Sequence, residues 1–145
     1  MMKQTVLRGM MGFPCRELPE PPRVWEEALA ADTATRRTLY IHIPYCRSRC
    51  PFCPFYFGGA GEEETAEYVR LLRLALERWG ELAGRFPVNA VYFGGGTPSD
   101  LGAESLVSLL DAARKNYRLA ADCEITGEGR IDGFEPEKAR RLAAH

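Results

Sequence analysis

Along residues 39–142, stretches rich in β-formers alternate three times with amphipathic helical stretches, an order that few folds accommodate. Leu39-Tyr-Ile-His-Ile-Pro44 alternates faces and is closed by Pro44, which reads as a strand. Glu62-Glu63-Glu64 place negative charge in the first turn of a helix. Its buried side is predicted from Tyr68, Leu72, Ala75, Leu76 and Trp79, which recur at helical spacing. A second strand is predicted over Val88–Phe93 and a turn over Gly94–Pro98. Leu106, Leu109, Leu110 and Ala113 mark a second helix. Asp122–Gly127 forms the third strand, with Cys123 and Ile125 on one side and Glu124, Thr126 and Glu128 on the other. A third helix is predicted to start near Pro136, with Ala139, Leu142 and Ala143 on its apolar side.

A β-α-β-α-β-α order predicts an α/β fold: a parallel sheet with right-handed crossovers and helices outside it, its functional groups at the carboxyl ends of the strands. The conspicuous motifs obey that rule. A cysteine-rich loop follows the first strand, a triple glycine follows the second, and Glu128 closes the third. A complete β/α barrel takes about 250 residues. If this is one, the 145 residues hold only about its amino-terminal half, a partial barrel cut off after about three β/α units. Residues 39–145 form this core. Residues 1–38, with Pro14, Pro19, Pro21, Pro22 and a short helical stretch at Val24–Ala31, read as a lead-in segment.

Three cysteines crowd into one loop, as Cys46-Arg-Ser-Arg-Cys50-Pro-Phe-Cys53. A disulfide between such close neighbours is strained, a third thiol is left over, and five cysteines do not all pair. A structural zinc site calls for four ligands, usually as two separated pairs, and Cys15 and Cys123 supply no second pair. A four-iron iron–sulfur cluster tolerates three thiolates, leaving one iron open to another ligand. On spacing alone, zinc completed by His42 or a partner chain stays open, as do buried thiols with no metal.

Gly94-Gly95-Gly96-Thr97-Pro98 lets a backbone approach a ligand closely, or simply makes a tight turn. No Gly-Lys-Ser/Thr follows, and Ser99 stands where a dinucleotide fingerprint needs its third glycine, so neither phosphate motif applies. Glu128, between Gly127 and Gly129, suits ribose hydroxyls or an ammonium group, or is a solvated loop acid. Glu124 is expected to pair with a basic residue inside the barrel. His42 shares a face with Tyr40, as a packing residue or a ligand or proton carrier. Tyr40 and Phe52 are expected to cover the metal site, Cys15 and Cys123 to be small buried residues, and Arg36, Arg37, Arg47 and Arg49 to lie on a solvated face or to steady an anionic substrate or cofactor.

Composition adds limits. With 46% hydrophobic and 27% charged residues and a net charge of -1, nothing favours disorder or nucleic acid as a partner. No apolar run is long enough for a signal peptide or for the roughly 20 residues of a membrane span. Clustered reduced cysteines favour the cytoplasm.

Taken together, Tyr40-Ile-His-Ile-Pro-Tyr-Cys46-x3-Cys50-Pro-Phe-Cys53, Tyr92-Phe-Gly-Gly-Gly-Thr-Pro98 and Glu124-Ile-Thr-Gly-Glu128 resemble the radical S-adenosylmethionine enzymes. Within them the chain resembles the branch of oxygen-independent coproporphyrinogen III oxidase. The resemblance covers about residues 39–142. It implies that Cys46, Cys50 and Cys53 bind a [4Fe-4S] cluster whose open iron chelates S-adenosylmethionine. It also implies that Tyr40, Phe52, Gly94, Gly95, Gly96, Thr97 and Glu128 fall on positions contacting that cofactor. The implied chemistry is reductive cleavage of S-adenosylmethionine to a 5′-deoxyadenosyl radical, with electrons from a flavodoxin- or ferredoxin-like donor and heme or another tetrapyrrole as substrate. The oxidase itself has a further cysteine two residues after the third, where this chain has Phe55. That departure points to relatives in heme utilisation, which Glu128-Gly-Arg-Ile-Asp-Gly-Phe134 resembles, or to heme-binding chaperones. A truncated, inactive metal-binding fragment is a further alternative.

Overall fold

The computed structural model describes residues 21–55 and 59–145. The expectations for residues 1–20, Cys15 among them, lie outside that range. The chain divides into two compact units, Met1–Thr33 and Ala34–His145. In the first, helix α1 spans Pro21–Ala30. Its two prolines sit at the start of the helix, where their missing N–H groups cost nothing.

The second unit runs β1 (Thr38–Ile43), α2 (Glu62–Ala83), β2 (Pro87–Gly95), α3 (Ala103–Asn116), β3 (Arg118–Gly127) and α4 (Pro136–Ala143), with short 3-10 turns at Pro98–Asp100 and Ile131–Gly133. The strands form a parallel sheet in the order β1-β2-β3. This is the predicted β/α succession, with each strand longer than its pattern or displaced from it by a residue. None of the helices among the described residues is long and apolar enough to cross a membrane.

One face of the sheet holds the core. Ile41 and Ile43 of β1 and Val91 and Phe93 of β2 are buried against Val69 and Leu76 of α2 and Leu106, Leu109 and Leu110 of α3. Every apolar position predicted for α3 is buried. Along α2 the expected stripe bends: Val69 and Leu76 are buried, whereas Trp79 is 41% exposed. The contact has moved one residue on, to Gly80, whose Cα lies against Asn116 at the end of α3.

Register decides what occupies the opposite face. In parallel pairing Tyr40 lies beside Tyr92 and Tyr92 beside Thr126, so these side chains share one face. Between the pairs Val88–Leu119 and Ala90–Glu124, β2 advances two residues and β3 five. A slip of three is odd, so it changes which face of β3 sits beside a given face of β2: Val88 and Val91, an odd number apart, both reach the core, as do Leu119 and Cys123, an even number apart. Without this bulge Cys123 would lie beside Tyr92; with it, Cys123 packs against the core and Glu124 and Thr126 face away. The same slip delivers Glu128 to the end of β2.

Candidate metal and cofactor site

A cavity of about 600 Å³ opens at the carboxyl ends of the strands, lined in part by Cys46, Cys50 and Cys53 from the loop after β1. That volume is in the range of small-molecule and cofactor pockets. Tyr40, His42, Phe52, Gly95, Gly96, Thr97 and Glu128 line it too. The predicted cysteine ligands and the predicted cofactor contacts thus meet in one place, with Gly94 immediately beside it, under the rings of Tyr40 and Tyr92.

The cysteine loop has its shape because β1 ends at Pro44 and the chain then crosses the triple-glycine turn. Gly96 donates its N–H to Ile43 O at 2.7 Å and Thr97 donates to Tyr45 O at 2.8 Å. The two loops are therefore joined by main chain. Thr97, 8% exposed, also donates its hydroxyl to Cys46 Sγ at 3.2 Å. All four described cysteines are free thiols.

Gly95 has φ +115°, a conformation that a residue with a Cβ adopts only with strain, and a Cβ there would also strike the His42 ring. The turn presents the Gly95 N–H to Glu128 Oε2 at 3.1 Å, and Tyr92 donates its hydroxyl to Glu128 Oε1 at 2.8 Å. Both oxygens of Glu128 are thereby fixed at the cavity wall. Glu128 donates its own N–H to Phe93 O, which extends the β2–β3 pairing to this point. The bond to the carboxylate holds the Tyr92 phenol protonated above its ordinary range, with burial adding to the effect. Tyr40 stacks on Tyr92 at 5.9 Å between centroids, and its hydroxyl is 3.1 Å from His42 Nδ1.

Several expectations need correction. Phe52 is 85% exposed and Tyr40 53% exposed, so they line the cavity without covering it. Glu124 accepts a hydrogen bond from the Thr126 hydroxyl at 3.1 Å, and no ion pair to it is present among the described residues. Arg47 is not merely solvated: its N–H is donated to Asp100 Oδ2 at 2.7 Å and its guanidinium to Asp132 at 3.0 Å.

Asp100, Arg130 and Asp132 bond to the cysteine loop without lining the cavity, a role not read from the sequence, where Arg130 and Asp132 figured only within the Glu128–Phe134 stretch. The other carboxylate oxygen of Asp100, Oδ1, is buried without a hydrogen-bond partner. The sequence signal was slight, an acid after Pro98-Ser99 in a tight turn. Phe55, standing where the oxidase branch has a further cysteine, is 76% exposed at the cavity rim.

Comparison with known proteins agrees with this architecture. The model of the radical SAM superfamily matches residues 40–145. Anaerobilin synthase of Escherichia coli is 40% identical over 119 residues, covering 80% of this chain and 27% of that protein. A heme chaperone, HemW, of Mycobacterium tuberculosis is 36% identical over 105 residues, covering 68% of this chain and 26% of the relative. Among solved structures, coproporphyrinogen III oxidase (HemN) from Escherichia coli, described as a radical SAM enzyme, superposes with a TM-score of 0.76 at 27% identity. That match covers 84% of this chain and 28% of the oxidase. The chain thus spans about a quarter of the length of each of these proteins. With the strand-end cavity, the cysteine loop and the family match in agreement, the chain belongs to the radical SAM superfamily.

Proposed function

We propose that this chain carries the cluster- and cofactor-binding part of a protein that cleaves S-adenosylmethionine reductively and acts on heme or another tetrapyrrole. The observation that carries this reading is the convergence of Cys46, Cys50 and Cys53, the triple-glycine turn and Glu128 on one cavity.

The donor set fits a [4Fe-4S] cluster. Three free thiols line the cavity. A four-iron cluster would be held by three thiolates with one iron left for another ligand, whereas a structural zinc site calls for four protein ligands. When bound, the cluster would supply one electron to the sulfonium of S-adenosylmethionine, whose carbon–sulfur bond would break to give methionine and a 5′-deoxyadenosyl radical able to take a hydrogen atom from the substrate. The residues of the chain bind and orient. Cys46, Cys50 and Cys53 hold the metal, and Thr97 fixes the Cys46 sulfur through its hydroxyl. Glu128, held by Gly95 and Tyr92, presents carboxylate oxygens where an ammonium group or ribose hydroxyls would bond. Gly94, Gly95 and Gly96 allow the cofactor to lie close to the main chain, while Tyr40 and Phe52 offer ring surfaces to it.

The likeness to anaerobilin synthase, and Phe55 in place of a further cysteine, support heme utilisation over coproporphyrinogen oxidation. A flavodoxin- or ferredoxin-like protein would deliver the electron, in a reducing compartment such as the cytoplasm. The likeness to heme chaperones supports a second reading, heme binding without required turnover. Anaerobic reconstitution followed by a product assay separates the two. The enzyme reading expects 5′-deoxyadenosine to be released with heme and a reductant present. Heme binding with no 5′-deoxyadenosine would leave the chaperone reading.

A further inference from the structure

The turn after β3 reaches across to the cysteine loop, although nothing in the cluster chemistry requires it to. Arg130 donates Nη1 to Ser48 Oγ at 2.7 Å, inside the segment between Cys46 and Cys50. Its Nε and Nη2 form a fork on Asp132 at 3.1 and 2.9 Å. The same carboxylate accepts from Arg47, so two guanidiniums share it. The turn itself rests on a rigid point: the Arg130 N–H is donated to the hydroxyl of Ser99, which is 2% exposed. Gly133 packs so closely on Ser99 that a Cβ there would collide with it.

Isolated surface ion pairs contribute little, and the Arg47–Asp132 pair is about 60% exposed on both sides. A bidentate fork within a shared network is the exception, and the Arg130 side chain is only 32% exposed. We propose that Arg130 and Asp132 are positioning residues that clamp the Cys46–Cys50 segment in its ligating conformation before metal arrives. The clamp rests on the reading of this loop as the cluster site. It lowers the ordering cost of assembly, because three cysteines in a loose loop must otherwise be fixed when the metal binds.

The test reads thiol exposure in the metal-free chain and metal retention in the loaded one. In Arg130→Ala and Asp132→Asn, alkylation of Cys46 should quicken about fivefold, the factor that 1 kcal/mol of loop ordering represents. Cys123, which belongs to β3, should keep its rate and so reports that the fold is intact. Loaded protein should lose iron to a chelator faster by a similar factor. Arg130→Lys should not restore protection, since an ammonium cannot span Ser48 and both oxygens of Asp132. Ser48→Ala removes the loop contact alone and should show the same direction of change without threatening the fold. An unchanged Cys46 rate in Ser48→Ala, or full rescue by Arg130→Lys, would overturn the clamp. The cluster reading fails separately, if wild-type protein takes up no cluster.

Discussion

Glu128 is where the smallest-scale account is most exposed to experiment. Its carboxylate is aimed by two donors, Tyr92 and the Gly95 N–H, and each is open to substitution or titration. The Tyr92 phenol has its pKa raised in the folded chain, chiefly by the bond to Glu128. A raised folded pKa means that the contribution to stability is complete below the unfolded value, about 10, and disappears as pH rises through the folded value. Tyr92→Phe should therefore be less stable than wild type near pH 8, with the difference closing above about pH 10. Denaturant midpoints across that range check it, and a constant difference would contradict the assignment. Gly95→Ala should cost about 1–2 kcal/mol or more, from φ +115° alone, with further loss from the collision with His42. The cysteines, the glycine turn and Glu128 were legible in the sequence because their chemistry is local. Arg130 and Asp132 were not, since Arg130 meets Ser48 across 82 positions and no short-range pattern records such a pair.

The elements were legible where apolar periodicity was strong. All four apolar positions read for α3 are buried, and Leu109 is completely so. Leu109→Ala should then cost about 2–5 kcal/mol, measurable as a shift in the denaturation midpoint. A cost within the range of ordinary surface substitutions would mean that α3 does not pack on the sheet as described. Legibility failed at two places for different reasons. On α2 the stripe predicted through Trp79 gives way to Gly80, because the close contact with Asn116 selects the smallest residue instead of the most apolar one. In β3, Leu119 and Ala121 continue the alternation of Cys123 and Ile125, but Ala120 and Ala121 are weak β-formers, so the first part of the strand escaped notice. The register shift nevertheless brings Glu124 and Thr126 beside Ala90 and Tyr92 of β2.

At the scale of the molecule the sheet is one-sided. Helices cover the face bearing Ile41, Ile43, Val91 and Phe93, while Tyr40, His42 and Glu124 on the other face are exposed. Among the described residues β1 and β3 each pair with one strand only. Free strand edges invite pairing between chains. Sedimentation of the 145-residue chain should show association that rises with concentration, and a strictly monomeric chain at high concentration would contradict this. The parallel sheet followed from the order of elements, and its reading as part of a barrel from the resemblance. What that order did not carry is the substrate, since the cavity's walls in this chain are the cysteine loop, two strand ends and a turn. The central claim is that the three cysteines and the glycine–Glu128 wall serve one cofactor together. The most direct measurement is the electron paramagnetic resonance spectrum of the anaerobically reconstituted, reduced chain, with and without S-adenosylmethionine. A [4Fe-4S] signal whose g values move on adding the cofactor, and no longer move in Glu128→Ala, is the predicted result. A cluster signal indifferent to S-adenosylmethionine in the wild type would contradict the account.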